Sequence, residues 1–378
     1  MLGLRPEATG ADGGVGAPLS VPDAVADVEA LLDRVVEARL RAARGTDAVC
    51  ARDVAGRVAA LARGGGKRLR MAFAWCGWRA AGGRGDSTAL LCTGVALELV
   101  QVCALVHDDV MDGSPLRRGA PAVHVDLARQ HRAAGMRGPA ESFATSAAVL
   151  VGDLALVWAD DLLTEAALGS PHGARLHREW RAMREEMVAG QYRDIHAQAS
   201  GSPGTDEALT IAELKGARYT VARPLALGAS LAGADEHTMG ALRSAGRCAG
   251  LAFQLRDDLL GAFGDPAVTG KPAGDDLRAG KATYLLAVAA GLAEADGDEE
   301  AAAVLAAAGG PDHSVACTRA VLERIGARSA VEAKIAELVA ESLRHFRTSG
   351  AAAEVRREFA AVAERAAGVA AGRGEEAG

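Results

Sequence analysis

Two groups of aspartates, each behind an apolar run, are the residues of this 378-residue sequence best suited to chemistry. The first group ends the segment Leu105-Val-His-Asp-Asp-Val-Met-Asp112. On a helix, Asp108 and Asp112 share one face, with Asp109 beside them. Such carboxylates repel one another and oppose the dipole at a helix C-terminus. A hard cation such as Mg²⁺, which takes carboxylate and phosphate oxygens, would relieve both costs, and a solvated acidic helix end is the alternative.

A second aspartate pair, Asp257 and Asp258, follows another apolar stretch 149 residues after Asp108. Two helices carrying the two groups could face each other across one cavity and hold several Mg²⁺ ions with a diphosphate. The following segment, 264–281, is rich in glycine and contains Lys271 and Lys281. A loop of this kind can bring ammonium groups to phosphate oxygens without steric obstruction.

Basic residues adjoin a run of three glycines, Gly64–Gly66, which Lys67 and Arg70 follow. The spacing does not fit the GxxxxGK[ST] phosphate loop, so we predict a helix start whose free N–H groups and basic side chains bind an anion. Arg117 and Arg118 lie five and six residues after the first aspartate group, within reach of the same phosphates. Because 37 of the 42 basic residues are arginine, a solvated surface arginine is the alternative for each, whereas the five lysines are more informative.

Helical periodicity predicts the elements that must position these residues. Apolar residues recur at helical spacing over 21–63, up to the glycine run. Turn signals separate further predicted helices at 69–81, 87–111, 140–168, 174–198, 207–233, 236–263, 280–293, 314–324, 328–347 and 351–370. No strand pattern is found, and 294–310 is predicted to be a floppy insertion. We predict a flexible arm at 1–20, a single all-α domain at 21–370 and a flexible tail at 371–378.

Composition excludes several classes of protein. A net charge of −7 argues against nucleic-acid binding. The 49% hydrophobic and 24% charged residues indicate a folded globular chain, and 3% aromatics favour helices over sheets. Six cysteines without a CxxC pair predict free thiols and a cytoplasmic location. No signal peptide is recognised, and the apolar run from Leu97 to Val106 is too short to span a membrane.

In this order, the motifs resemble those of the trans-isoprenyl diphosphate synthases, or polyprenyl synthetases. The matching segments run from Gly64 to Thr283 and read GGGKRLR (64–70), HDDVMD (107–112), RRG (117–119), LKGARYTVARPL (214–225), FQLRDD (253–258), GDPAVTGKP (264–272) and GDDLRAGK (274–281). The resemblance implies an isoprenoid synthase-type bundle of about ten or more mostly antiparallel helices around a deep central cavity, usually in a homodimer.

The resemblance also implies a reaction, the Mg²⁺-dependent head-to-tail condensation of isopentenyl diphosphate with an allylic diphosphate, with three Mg²⁺ ions on the bound diphosphate. The implied metal ligands are Asp108, Asp112 and Asp257, with Asp109 and Asp258 nearby or acting through water. The implied allylic phosphate contacts are Arg117, Lys215 and Lys271, and those to isopentenyl diphosphate are Lys67, Arg70 and Arg118. Further residues expected to line the site are Gln101, Gln191, Asp194, Gln254 and Lys281. His107 is expected to pack rather than to bind metal.

Two positions depart from the family pattern. Gly261 stands where a third aspartate is usual, and Asp265, Asp275 or Asp276 are candidates to replace it. Gly216 stands where a hydroxyl residue is common. Neither departure removes an implied direct metal ligand.

Product length in this family follows the residues before the first aspartate motif. Cys103 and Ala104, the fifth and fourth residues before Asp108, are small, and Val100 and Leu97 lie deeper. We therefore predict a geranylgeranyl product of twenty carbons. Core packing without such a role is the alternative reading of these residues. The competing functions are a farnesyl or longer polyprenyl diphosphate synthase, a class I terpene cyclase, and a non-catalytic synthase subunit.

Overall fold

The computed structural model describes residues 16–201, 204–265, 274–310 and 313–369. The chain divides into two compact units, the first formed by Met1–His177 with Leu227–Gly233 and the second by Arg178–Ala226 with Ala234–Gly378. Lys271, the tail at 371–378 and most of the N-terminal arm lie outside the described residues. The single domain over 21–370 therefore stays a prediction.

The first unit consists of helices and one short hairpin. Its helices are α1 (Val21–Thr46), α2 (Ala48–Cys50), the π-helix π1 (Ala51–Ala55), α3 (Gly56–Arg63), α4 (Leu69–Ala80), α5 (Thr88–Met111), α6 (Val123–Ala133) and α7 (Ala140–Leu168). Strands β1 (Leu116–Arg117) and β2 (Ala120–Pro121) pair antiparallel between α5 and α6. Neither this hairpin nor α6 was predicted from the sequence.

Helix α5 forms the centre of the first unit, and small residues let other helices approach it. A Cβ at Gly94 would lie 2.5 Å from the sulfur of Met71 on α4 and 2.7 Å from Val28 on α1. Near the other end of α5, a Cβ at Gly152 of α7 would lie 2.1 Å from His107. The aspartates at the end of α5 are therefore carried by a helix that is fixed at both ends by close packing.

Two helices, α5 and α7, are long and apolar enough to cross a membrane by length and composition. The most apolar window of α5 is 72% buried within the protein, and that of α7 is 39% buried. Helix α5 is thus buried as a core helix is. Core helices can be as long and as apolar as helices that span a membrane. Helix α7 exposes Phe143, Leu150 and Val157, one at every seventh residue.

The regular secondary structure of the second unit, within the described residues, consists of helices alone. Its elements are α8 (Gly173–Ser200), α9 (Thr205–Ala212), the π-helix π2 (Glu213–Ala222), α10 (Arg223–Leu231), α11 (Glu236–Phe263), α12 (Asp275–Arg278), α13 (Tyr284–Asp296), α14 (Glu299–Ala306), α15 (Val315–Arg324), α16 (Ala327–Arg347) and α17 (Ala353–Ala367). The unit boundary falls within α8 and within α10. The core lies along α11 and α16 and contains Leu255, Ile335 and Leu338.

The prediction of a floppy insertion at 294–310 is wrong for most of that segment. Helix α13 continues to Asp296, and α14 follows after Gly297, which has the left-handed φ of 66°. Asp298 caps α14 by accepting a hydrogen bond from the N–H of Ala301 at 2.9 Å. Ala301 is fully buried. Alanine has the highest helix propensity, and the Asp298 cap together with the packing of Ala301, Val304 and Leu305 orders this short helix.

Ion pairs connect α8 to π2, α10 and α11. The carboxylate of Glu186 accepts from Arg218 at 2.7 Å and from Arg223 at 2.8 Å. Glu179 lies two turns earlier on the same face of α8. It accepts from Arg223 at 2.5 Å and from Arg243 at 2.6 Å. Burial raises the pKa of Glu186, but the two guanidinium groups outweigh burial and hold that pKa below the ordinary 4.5. The ionised form of Glu186 therefore stabilises the folded protein.

Replacing Glu186 with glutamine is expected to lower the free energy of unfolding at pH 7 by about 2–3 kcal/mol, because two partly buried guanidinium groups lose their shared counter-ion. The carboxylate's contribution is present above pH 4.5 and is lost as the pH falls through the depressed folded-state pKa, so the difference between variant and wild type shrinks in acid. Urea unfolding at pH 7 and at lower pH measures both effects. Glu337→Gln, which removes an exposed partner of Lys334, is the control; equal stability of wild type and Glu186→Gln at pH 7 contradicts the assignment.

Candidate active site

The first aspartate motif lies at the C-terminal end of α5, as predicted. Asp109 is 2% exposed, whereas Asp108 and Asp112 are half-buried. Asp112 is the C-cap, and its N–H donates to the carbonyl of Asp108. Helical spacing places Gln101 and Ala104 on the same face as Asp108. One face of α5 therefore leads from the carboxylates to the partly accessible side chains of Ala104 and Gln101.

Arg117, on β1, holds the first two aspartates in place. Its Nε donates to Asp109 Oδ1 at 2.9 Å and Oδ2 at 3.1 Å, and its Nη2 donates to Asp108 Oδ2 at 3.3 Å and to Asp109. Burial lowers the pKa of Arg117, but the two carboxylates outweigh burial and raise that pKa above its ordinary value. Arg117 therefore orients the two carboxylates, and its expected contact with phosphate stays a prediction.

Arg118 lies at the tip of the hairpin beside the glycine run. Arg118 and Gly119 have φ values of 53° and 76°, as the two-residue turn of a tight hairpin requires. The Arg118 guanidinium donates to the carbonyl of Gly65 at 2.6 Å and of Gly64 at 3.3 Å. Burial and the nearby guanidinium of Arg68 lower the pKa of Arg118 below its ordinary value. The structure thus brings together two basic segments that the sequence analysis singled out separately.

Arg68 is a residue that the sequence analysis missed. It caps α4 in a left-handed conformation (φ 46°) and is 7% exposed. Its guanidinium donates to Glu98 of α5 at 2.6 Å and to Glu29 of α1 at 3.2 Å. A glutamate within the apolar run of α5 could have signalled a buried partner, because a buried charge requires one. Arg68 fixes the backbone between Lys67, which is exposed, and Arg70, which is half-buried.

The second aspartate motif lies near the C-terminal end of α11. Gln254 donates to Asp258 Oδ1 at 3.1 Å, and Asp257 is exposed. Burial raises the pKa of Asp258 to about 7; the Gln254 hydrogen bond opposes this rise, and the charges of Asp276 and Asp257 add to it. The charges of Asp257, Asp258 and Asp276 thus act on one another in the second unit, and Lys281 offsets them in part. The remaining negative charge favours a cation nearby.

The side chain of Gln254 occupies the space next to Gly216. A Cβ at Gly216 would lie 1.9 Å from Oε1 of Gln254, so no side chain fits there while Gln254 binds Asp258. The neighbouring Lys215 donates from Nζ to Asp194 Oδ2 at 2.5 Å. A Cβ at Gly190 of α8 would lie 2.3 Å from the backbone N of Lys215. Close packing on both sides therefore fixes this part of π2, the kind of local π-helix that often marks a functional site.

Asp276 occupies the space that Gly261 leaves open. A Cβ at Gly261 would lie 1.8 Å from Asp276 Oδ2. Lys281 Nζ lies 3.7 Å from Asp276 Oδ1, and the Lys281 backbone N–H donates to the Asp276 carbonyl at 3.0 Å. Of the candidates for a replacement carboxylate whose side chains the structure describes, Asp265 is exposed and Asp276 lies at Gly261.

Cys103 and Ala104 lie in different environments. Cys103 Sγ is 3.7 Å from His107 Nδ1, and burial, with the charges of Asp153 and Asp160 on α7, raises the pKa of Cys103 to about 12. Cys103 thus faces α7, about 140° around α5 from Asp108. Ala104 is half-buried on the Asp108 face. His107 packs against α7, with Nε2 3.1 Å from the carbonyl of Val149, in agreement with its expected packing role.

The predicted site residues fall into two groups, one in each unit. Those of the first unit are Lys67, Arg70, Leu97, Val100, Gln101, Cys103, Ala104, Asp108, Asp109, Asp112, Arg117 and Arg118. Those of the second unit are Gln191, Asp194, Lys215, Gln254, Asp257, Asp258 and Lys281. Leu97 and Val100 are fully buried.

Comparison with known proteins supports the resemblance seen in the motifs. The family model for polyprenyl synthetase matches residues 54–322. Geranylgeranyl pyrophosphate synthase from Corynebacterium glutamicum, solved with isoprenyl diphosphate and magnesium, superposes with a TM-score of 0.85 and 39% identity, covering 90% of this chain and 98% of that one. The all-α fold is therefore confirmed.

Two curated relatives match a shorter part of the chain. Geranylgeranyl diphosphate synthase of Mycobacterium tuberculosis is 37% identical over 243 residues, 64% of this chain and 62% of the relative. (2E,6E)-Farnesyl diphosphate synthase of Mycobacterium bovis is 37% identical over 219 residues, 58% of this chain and 55% of the relative. The chain thus matches under two thirds of the length of each. Since the family model covers well over half of the chain, the protein belongs to the polyprenyl synthetase family.

Proposed function

We propose that this protein is a Mg²⁺-dependent trans-prenyltransferase that condenses isopentenyl diphosphate with allylic diphosphates, head to tail, to a geranylgeranyl-length product. The observation that carries the proposal is the pair Asp108 and Asp112, one turn apart at the end of a packed helix, with Arg117 fixing Asp108 from the side. The solved relative from Corynebacterium glutamicum, with isoprenyl diphosphate and magnesium, supports it.

The donor set suits magnesium. Asp108, Asp112, Asp257 and Asp258 offer only carboxylate oxygens, which hard cations prefer. We propose that these aspartates, with Asp109, hold three Mg²⁺ ions together with a diphosphate. Bound Mg²⁺ supplies positive charge to the diphosphate that leaves the allylic substrate.

The basic residues complete the proposed division of roles. Arg117, Lys215 and Lys271 neutralise the allylic diphosphate, and Arg117 also orients the carboxylates. Isopentenyl diphosphate binds to the residues around the glycine run, which are Lys67, Arg70 and Arg118. The remaining site residues, Gln101, Gln191, Gln254 and Lys281, position the substrates.

The proposed reaction needs no dedicated protein base. The allylic C–O bond breaks with its electron pair on the diphosphate, and the double bond of isopentenyl diphosphate forms the new C–C bond. The resulting cation loses a proton to the departing diphosphate. The protein's part is to position two anions and to stabilise the charge of the leaving group.

We propose that Asp276 supplies the carboxylate that Gly261 lacks. Gly261→Asp alone is expected to reduce activity by about 10-fold or more, because its side chain collides with Asp276. The double variant Gly261→Asp/Asp276→Gly moves the carboxylate from one residue to the other and is expected to recover most of the lost activity. Steady-state rates of the two variants measure this, and a double variant no better than Gly261→Asp contradicts the proposal.

The proposed product length rests on the small residues Cys103 and Ala104, of which Ala104 lies on the Asp108 face of α5. Ala104→Phe is expected to shift the main product from twenty to fifteen carbons, because the ring extends along the Asp108 face of α5. Incubation with Mg²⁺, isopentenyl diphosphate and dimethylallyl, geranyl or farnesyl diphosphate, with products read by mass, measures the shift. Leu105→Phe, one position around the helix, is the matched control; an unchanged product profile in Ala104→Phe contradicts the assignment.

We propose that the protein is a homodimer and that α7 contributes to the interface. Its stripe of Phe143, Leu150 and Val157 is 39–57% exposed. Charged residues such as Asp153 and Asp161 alternate with the stripe on exposed positions, which suits a protein partner better than a bilayer. Sedimentation equilibrium gives the mass in solution, and the mass of a single chain at micromolar concentration contradicts the proposal.

A further inference from the structure

Away from the residues assigned to condensation, three side chains with different metal-binding atoms converge in the second unit. They are Cys248 on α11 and, one turn apart on α16, Glu341 and His345. The Cys248 sulfur, a Glu341 carboxylate oxygen and a His345 ring nitrogen all lie within 4.8 Å of one another. We propose that this cluster binds a divalent transition-metal ion of the Zn²⁺ class, independently of the magnesium at the aspartate motifs.

The packing of α11 against α16 fixes the positions of the three donors. Ser342, next to Glu341, donates from its hydroxyl to the carbonyl of Ala245 at 2.7 Å, and this bond is buried. Cys248 is fully buried, whereas the side chains of Glu341 and His345 are 34% and 40% exposed. The cluster thus has a buried sulfur at its base and an open side, from which an ion can enter and at which water can complete the coordination.

The donor chemistry selects a borderline metal. Thiolate, imidazole and carboxylate together suit Zn²⁺, whereas Mg²⁺ prefers oxygen ligands alone. His345 Nε2 and Glu341 Oε1 are 3.5 Å apart, close to the ligand separation that Zn–N and Zn–O bonds of about 2.0–2.1 Å give in a tetrahedral site. Both residues lie near the C-terminus of α16, where the helix dipole favours positive charge.

Neighbouring charges both raise and lower the pKa of the Cys248 thiol. Burial and Glu341 raise the pKa of Cys248 to about 11, while Arg247 and Arg344 lower it. The free thiol is therefore protonated at neutral pH, and metal binding must release its proton. A Glu–His pair one turn apart is common on helix surfaces; the thiol of a second helix within reach of both is what distinguishes this cluster.

A bound ion would connect α11 to α16 nine residues before Asp257. It would stabilise the second unit by binding the folded state and not the unfolded chain. Zn²⁺ is accordingly expected to raise the melting temperature of the wild-type protein, and not that of a variant lacking a ligand.

Titration with Co²⁺ tests the proposal, because a thiolate bound to Co²⁺ gives a charge-transfer absorption band that carboxylates do not give. Excess Mg²⁺ occupies the aspartate motifs, and no substrate is present, so the result is independent of catalysis. The band is expected to saturate at one Co²⁺ per wild-type chain and to disappear when Zn²⁺ displaces the Co²⁺. It is expected to be absent from both Cys248→Ser and His345→Ala. Circular dichroism checks that the variants are folded, and His345→Ala changes a side chain that is 40% exposed.

Two cysteine variants serve as matched controls. Cys317→Ser changes an exposed thiol, and Cys103→Ser changes a buried thiol that also has a histidine neighbour, His107 at 3.7 Å. Both are expected to keep the band. Absence of the band in wild type, its retention in Cys248→Ser or in His345→Ala, or its loss in Cys103→Ser overturns the proposal.

Discussion

Replacing Asp108 with asparagine is expected to reduce the rate of condensation by about 100- to 1,000-fold, because a proposed metal ligand and one negative charge are lost together. The fold should persist, since Arg117 keeps its hydrogen bonds to Asp109. The rate is measured at saturating substrates over a range of Mg²⁺ concentrations. The variant is also expected to require more Mg²⁺ than wild type for half-maximal rate, which a loss of folding alone would not produce.

The matched control for this experiment is Asp33→Asn. Asp33 also pairs with an arginine in the first unit, Arg63 at 3.1 Å, but its side chain is 67% exposed. Exposed pairs contribute little, so the control is expected to keep the wild-type rate within about twofold. An Asp108→Asn variant as active as Asp33→Asn would show that the carboxylate of Asp108 does not take part in the reaction.

Lys215→Arg is expected to reduce the rate by about 10- to 100-fold although the charge is kept. The ammonium of Lys215 binds Asp194, which is 6% exposed, and the backbone of α8 at Gly190 lies directly against the Lys215 backbone. A planar guanidinium is larger and donates in a fixed fork, so it cannot take the same position. The expected loss is mainly in kcat, because the ammonium is assigned to the leaving diphosphate.

Lys334→Arg is the control for the lysine prediction. Lys334 pairs with Glu337 at 3.0 Å on the exposed face of α16 and has no assigned role in the reaction. It is expected to show the wild-type rate. If Lys215→Arg and Lys334→Arg behave alike, the ammonium of Lys215 has no specific function in the site.

The helices that carry the motifs could be predicted closely from the sequence. The predictions of 87–111, 140–168 and 236–263 agree with α5, α7 and α11 to within a residue. These helices are long and rich in alanine and leucine, and turn residues mark their ends, so local propensity and hydrophobic periodicity favour the same structure.

The features that could not be predicted from the sequence depend on contacts between distant segments of the chain. The predicted helix at 207–233 contains the π-helix π2, whose backbone is approached closely by Gly190 and Gly250. Local propensity does not distinguish α from π, because tertiary packing decides between them. In the same way, only the structure shows that Asp276 fills the space at Gly261 and that Gln254 fills the space at Gly216.

The side-chain contacts of the basic residues also could not be predicted from the sequence. Four basic residues could be identified as candidate phosphate ligands because they lie close in sequence to the glycine run or to the first aspartate motif. They are Lys67, Arg70, Arg117 and Arg118. That Arg117 orients Asp108 and Asp109 instead of extending freely depends on the hairpin, which has only two residues in each strand. Such a short element has no periodicity to detect.

The most direct test of the central claim is diphosphate release from farnesyl diphosphate and Mg²⁺, measured with and without isopentenyl diphosphate. The proposed function predicts release only when isopentenyl diphosphate is present, with one diphosphate released for each twenty-carbon product formed. Release without isopentenyl diphosphate, accompanied by a hydrocarbon product, would instead identify a terpene cyclase. No release under any condition, with farnesyl diphosphate or a shorter allylic diphosphate, would contradict the assignment of a prenyltransferase.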